Sequence, residues 1–376
     1  MTLKSISKHL TAAVAVTAIM QLASPLVGKA MAADLSIGLA APITGPNAAL
    51  GTQVRNGAKM AAADINARGG ILGNQIVVVE QDDASDPKQA VSVANKFVSQ
   101  KVTMLVGHVN SGTSIPASDV YKEENILAIT PSATNVVLTD RGYPNLFRIC
   151  GRDDKQGQVA GNYLLKNFKG KNIAIIHDKT AYGQGLAVET KKTLNAGGGK
   201  EVLFESINPG EKDYSAEITK LKSLKVDAIF YGGYHPEAGL LVRQGREQGL
   251  KALLIGGDAL TTDEFWGITG DAGEGTIFTN QADSRELSTA KDVVAKFRAQ
   301  NIDPDGYTLN AYAAFQVLEQ AAIKAKSVKT TDMQKVMHGG TFDTVVGKIS
   351  FDAKGDVVNP NFVFFQFSKG TYAQVK

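Results

Sequence analysis

The chain has 376 residues, 43% of them hydrophobic and 20% charged, with a formal net charge of +3 and a single cysteine. That length is more than one ordinary core and predicts two domains. The near-balance of charge excludes a protein built to grip nucleic acid, which needs a surplus of Lys and Arg to displace counterions; one cysteine excludes an intrachain disulfide, and Cys150 reads as a small core residue.

The N-terminus reads as an export signal. Lys4 and Lys8 form a basic n-region, Leu10 to Met20 is apolar and uncharged, Pro25 and Gly28 break any helix, and Ala30-Met31-Ala32 is an A-x-A cleavage site. The apolar run is too short to span a bilayer comfortably. Cleavage before Ala33 removes three lysines and no acid, so the mature chain is formally neutral.

From Leu35 the pattern alternates between strand and helix. Leu35 to Ala40 is the first apolar run, and Val54, Ala58, Ala61, Ala62 and Ile65 then repeat at helical spacing. Ile76 to Val79 reads as a buried strand. Asp86-Pro87 opens a helix, with Asp as N-cap and Pro at the first helical position; its apolar face is Ala90, Val93, Ala94, Phe97 and Val98. Thr103 to Val106 and Leu127 to Ile129 are further strands. After the polar stretch Gly151 to Asp154 the alternation resumes. Strands are expected at Ile173 to Ile176, Val202 to Phe204, Ala228 to Tyr231 and Leu253 to Ile255, with a helix after Gly183. Helices follow at Ala290 to Ala299 and Leu309 to Ala325, then strands at Val346 to Phe351 and Phe362 to Phe367. Two such series predict an α/β protein of two doubly wound, parallel-sheet lobes.

Such sheets bind ligands beyond the carboxyl ends of their strands. Behind the third strand lies Gly107 to Ser114, rich in Gly and hydroxyls at a helix start, which suits a carboxylate or phosphate and equally suits ordinary capping. Thr130 to Thr134 follows the fourth strand and fits a capped turn. In the second series Tyr182 and Tyr234 each stand where a strand gives way to a helix, and Asp258 follows Gly256-Gly257, placed to pair an ammonium group or to cap a helix. His235 and Glu237 read as capping or surface residues. No nucleotide, P-loop or nucleophile-elbow motif is present, and the histidines lack metal-ligand spacing. Neither an enzyme nor a cofactor is indicated.

Together these stretches resemble the periplasmic leucine/isoleucine/valine-binding proteins of ATP-driven (ABC) importers. The similarity is carried by Ala63-Asp64-Ile65-Asn66 through Gly69-Gly70-Ile71, Asp82 to Ala90, Pro116-Ala117-Ser118-Asp119, Ile129 to Thr134, His177-Asp178-Lys179 with Tyr182-Gly183, and Tyr231 to Glu237. It implies a type I periplasmic binding protein fold, with lobes joined by a three-strand hinge. Residues 1–32 would be the signal peptide, 33–152 with 282–363 one lobe, and 153–281 with 364–376 the other. It further implies a periplasmic monomer that captures a free amino acid and presents it to a membrane permease. Ser111 and Thr134 would hold the α-carboxylate; the Ser132 carbonyl, beside Ala133, and the Thr134 hydroxyl would accept from the α-ammonium, with Asp258 as its partner from the other lobe. Tyr182 and Tyr234 would be aromatic walls, with Tyr307 near them. Against the family pattern, Leu50 stands where many relatives carry an aromatic, Asp258 is one methylene shorter than the usual glutamate, and Ser85 and Asn110 fall where some relatives carry a cystine. The first two leave room for another small amino acid (alanine, proline or GABA) or an amide, for transport or for sensing.

Overall fold

The computed structural model describes residues 34–375; the expected signal peptide lies outside them. The first sheet is made of β1 (Leu35–Ala41), β2 (Ile76–Asp82), β3 (Met104–Gly107), β4 (Leu127–Thr130) and β5 (Leu146–Arg148). It is parallel throughout, in the order β2-β1-β3-β4-β5. Helices α1 (Ala48–Ala67), α2 (Pro87–Ser99), α3 (Ser111–Glu123) and α4 (Val137–Asp140) connect successive strands. β3 and β4 are buried along their whole length, as strands covered on both faces must be.

The second series runs α5 (Asp153–Asn167), β6 (Ile173–His177), α6 (Ala181–Ala196), β7 (Leu203–Ser206), α7 (Ser215–Ser223), β8 (Ala228–Gly232), α8 (His235–Glu247), β9 (Leu253–Gly256), α9 (Asp263–Thr269) and β10 (Ile277–Gln281). The chain then returns to the first sheet with α10 (Lys291–Arg298), α11 (Thr308–Ala325) and α12 (Thr330–Met337), and with a hairpin of β11 (Thr341–Thr344) and β12 (Gly347–Ser350). β13 (Phe362–Ser368) crosses back and adds antiparallel to β10, and β14 (Thr371–Gln374) pairs antiparallel with β13. The second sheet therefore has the order β14-β13-β10-β9-β8-β6-β7, and the chain passes between the sheets three times. The expected boundary between residues 363 and 364 falls inside β13.

The local signals act as anticipated in several places. Val54, Ala58, Ala61, Ala62 and Ile65 are all buried on α1. Asp86 caps α2, its carboxylate accepting from the Lys88 and Gln89 N–H groups at 2.8 Å. The helix expected after Gly183 instead starts at Ala181, with the Thr180 hydroxyl accepting from the Gly183 N–H. Gly183 serves close packing: a Cβ there would stand 2.1 Å from Asp178 Oδ1 and 2.5 Å from the Gly232 carbonyl. Strands β5, β10, β11 and β14 are additional to those read from the sequence; each is three to five residues long and mixes polar or charged residues with apolar ones. Among the described residues no helix is long and apolar enough to cross a membrane.

Candidate functional site

The carboxyl ends of the two sheets face each other, and side chains bridge the space between them. Gln53 of α1 donates to the Thr261 carbonyl at 2.7 Å and accepts from the Tyr307 N–H at 3.2 Å. Asn135, after β4, donates to the Ala181 carbonyl of α6 at 2.6 Å. Within this closed cleft lies a cavity of about 10 Å³ lined by Leu50, Val109, Asn110, Ser111, Ser132, Tyr182, Tyr234, Ala259 and Tyr307. That is room for no more than one water, so a larger molecule enters only when the two sides part. A surface groove of about 420 Å³ exists between the ends of α5 and α6. Its Lys169, Lys171 and Lys200 lie near two helix C-termini, whose negative dipole ends account for them.

One wall comes from the loops of the first sheet. Thr130 Oγ1 donates to the His108 carbonyl at 2.7 Å and accepts from the Ala133 N–H at 3.0 Å. Ser132 Oγ donates to the Val109 carbonyl at 2.9 Å. These bonds lock the two loops together. Beneath them the buried His108 ring sits between Asp83 (2.6 Å) and the Tyr121 hydroxyl (2.7 Å). Asn110 is the N-cap residue of α3, yet its side chain makes no capping bond. Its Oδ1 accepts from Ser85 Oγ at 3.0 Å, so this pair is joined by a hydrogen bond where relatives were expected to carry a cystine. The first N–H groups of α3 are thus left for another acceptor, with Ser111 at the cavity wall.

The opposite wall is polar at its base. Asp258 is buried, and its carboxylate accepts from Gln156 Nε2 (3.0 Å), the Tyr182 hydroxyl (2.8 Å) and the Tyr307 hydroxyl (2.7 Å). Burial pushes its pKa up, and the hydrogen bonds from Tyr307, Gln156 and Tyr182 oppose that rise. Burial, with the charge of Asp258, holds the two phenols well above their ordinary pKa, so they stay donors. Among the described residues no Lys, Arg or His lies within ion-pair distance of Asp258. The Tyr182 and Tyr234 rings stand 5.2 Å apart and, with Leu50, form the apolar part of the wall.

Of the residues expected at the site, Leu50, Ser111, Ser132, Tyr182, Tyr234 and Tyr307 share one cavity. Asp258 stands directly behind two of them. Ala133 and Thr134 are buried but do not line the cavity: the Ala133 carbonyl accepts from Arg148 at 2.9 Å, and the Thr134 hydroxyl has no hydrogen-bond partner. Asp258 does not cap a helix, since the turn it opens has no side-chain cap. His235 and Glu237 are buried, not superficial; His235 Nε2 contacts Glu264 at 2.9 Å and Glu237 accepts from the Gly210 N–H. Burial raises the Cys150 thiol far above its usual range. Val109, Asn110 and Ala259 add to the wall and lie in loops already marked by their strands. Gln156 and Asn135 gave no signal: a glutamine inside a polar helix looks like any surface residue.

The chain is similar to known binding proteins. A family model described as "Periplasmic binding protein" matches residues 34–371. The "Leu/Ile/Val-binding protein homolog 1" of Brucella suis is 50% identical over 90% of this chain and 91% of its own length. Among solved structures, a leucine binding protein, LivK, from Thermotoga maritima superposes with a TM-score of 0.85 at 25% identity, covering 91% of this chain and 98% of that one. The branched-chain amino acid transporter substrate binding protein LivJ from Streptococcus pneumoniae, in complex with isoleucine, superposes with a TM-score of 0.82 at 29% identity, covering 91% and 100%.

Proposed function

The chain belongs to the periplasmic binding protein family, and from that premise we propose that it captures leucine, isoleucine or valine between two lobes and delivers it, as a monomer, to the permease of an ABC importer. It is a binding protein, not an enzyme. The family is periplasmic, and the signal peptide expected in residues 1–32 would deliver the chain there. The lobes would be residues 33–152 with 282–363, and 153–281 with 364–376.

One observation carries the reading: a buried carboxylate, Asp258, held by three donors and without a cationic partner, across a cleft from an uncapped helix N-terminus. An α-amino acid supplies both missing charges. Its ammonium would meet Asp258, the Ser132 carbonyl and the Thr134 hydroxyl; its carboxylate would meet Ser111 and the first N–H groups of α3. Leu50, Tyr182, Tyr234 and Tyr307 would enclose the side chain. Both charges lose water on entry, so each needs its partners. Those partners come from opposite lobes, and closure is thereby coupled to binding.

A second reading is favoured by Leu50, which is buried and closes the cavity, and by the short Asp258. Under it a smaller amino acid or an amide is preferred, for transport or sensing. Calorimetric titration of residues 33–376 with leucine, isoleucine, valine, alanine, proline and GABA separates the two. Binding of alanine, proline or GABA with none of the branched-chain amino acids would overturn the first reading.

A further inference from the structure

The cleft contains a second buried carboxylate that the proposed ligand contacts do not use. Asp153 is the first residue of α5, and its N–H donates to the Thr134 carbonyl at 2.9 Å. Its side chain is fully buried, and neither carboxylate oxygen has a hydrogen-bond partner. From the first-sheet side, the Thr134 hydroxyl stands near it but outside hydrogen-bond geometry, and Asn135 closes over it to reach the Ala181 carbonyl. From α6, Gly185 comes so close that a Cβ there would lie 2.4 Å from Asn135 Nδ2 and 3.0 Å from Asp153 Oδ2. The charged groups facing it are Asp258 and Asp154, which repel a negative charge, and Arg148, which attracts one; the Cys150 thiol and the Tyr182 and Tyr234 phenols also face it and are held neutral by burial. Arg148 is itself committed to Asp356 and to the Ala133 and Asn135 carbonyls.

We propose that Asp153 takes up a proton when the cleft closes on its ligand and releases it when the cleft opens, so that ligand capture is linked to pH. This rests on the reading of the site as a closing amino-acid cleft. In the closed arrangement the carboxyl must be neutral, because a buried carboxylate without hydrogen bonds costs more than its proton. Burial pushes its pKa up to about 8. Opening breaks the contact of Asn135 with α6 and lets water reach the group, which then ionises in the ordinary carboxylate range near ~4. Between these limits closure binds a proton. The association constant therefore falls as pH rises toward about 8, by up to ~10-fold per pH unit. Asp153→Asn mimics the neutral acid. Its amide cannot ionise in either arrangement, so the dependence disappears and binding at pH 7 tightens.

The test is calorimetric titration of wild type and Asp153→Asn with leucine at pH 6, 7 and 8, in buffers of low and high ionisation enthalpy. The expected result is proton uptake approaching one per leucine for wild type at pH 6 and 7, none attributable to this site in the variant, and a flatter affinity profile in the variant. The amino group of leucine titrates equally in both experiments and cancels in the comparison. Equal proton uptake by the two proteins, or weaker binding by the variant at every pH, overturns the proposal while leaving the amino-acid site intact. Failure of leucine and every other amino acid to bind wild type overturns the site reading itself, and this inference with it.

Discussion

Replacing Asp258 by asparagine separates the charge of this group from its shape. The carboxylate now accepts three hydrogen bonds, two of them from hydroxyls that can rotate. In Asp258→Asn the amide oxygen keeps one or two of these donors, and its NH2 meets a phenol that turns to accept. Gln156 adjusts as well, since its Oε1 has no hydrogen-bond partner. One buried hydrogen bond is redistributed and one desolvated charge is removed, so the unliganded fold should change in stability by no more than ~1 kcal/mol. Binding is another matter. The ligand ammonium would enter a desolvated pocket without its counter-charge, and breaking a buried, hydrogen-bonded charge pair costs about 2–5 kcal/mol. That corresponds to roughly a 30-fold to few-thousand-fold rise in Kd. Titration calorimetry with leucine reads the affinity, and melting without ligand reads the fold. A variant that melts like wild type and binds leucine within threefold of it would refute the ammonium-partner role. A variant that fails to fold would refute the account of how its neighbours readjust.

Other consequences follow from the packing. Gly183→Ala drives a methyl group into Asp178 and the Gly232 carbonyl; a loss of about 1–3 kcal/mol is expected in denaturant unfolding, against no change if α6 can shift away. The buried Arg148–Asp356 contact, at 2.6 Å, is an ion contact rather than an aligned hydrogen bond. Arg148→Met leaves Asp356 with Arg152 at 2.9 Å and the Thr139 hydroxyl at 3.0 Å, but unpairs the Ala133 and Asn135 carbonyls; a loss of about 1–3 kcal/mol is expected in denaturant unfolding, and adding Asp356→Leu should not recover it, so full recovery in the double variant would contradict this. Asp283 is half-buried beside Arg285, with contacts of 2.9 and 2.7 Å. Burial alone would raise its pKa, but the Arg285 hydrogen bonds and charge outweigh this and hold it below the usual value. Its contribution is therefore present above the unfolded pKa near ~3.9 and lost as pH falls through the folded value. Melting of Asp283→Asn should lie below wild type at pH 7 and converge with it toward pH 3.

Local signals in the sequence correspond closely to the structure where one physical cause acts alone. The Asp86-Pro87 cap and the apolar stripe of α1 needed no tertiary information. The expected binding loops follow from the rule that open α/β sheets use the carboxyl ends of their strands, and six of the named residues share one cavity. What escaped reading depends on distant partners. Gly183 looked like a helix boundary because a glycine permits turns; its task is to let α6 approach β8. Gln156 reaches Asp258, and Tyr307 reaches it from a loop 49 residues further on; no local spacing encodes those meetings. Asp153 read as part of a polar linker, since a charged residue at a helix start is ordinarily solvated.

The late return of the chain to the first sheet bears on the order in which the molecule can form. Helix α1 buries Val54, Ala58 and Ala61 and packs chiefly against α11. The ties between these helices, Arg68 to Glu319 and Tyr312 to Asp64, join residues separated by 251 and 248 positions. A ribosome releasing the chain from its amino end exposes that apolar stripe long before its cover exists. The first half therefore cannot finish its core until the last third has emerged, and contacts of such separation form slowly. The same connectivity keeps the newly made polypeptide without a finished core for most of its synthesis, with the apolar stripe of α1 open to other partners.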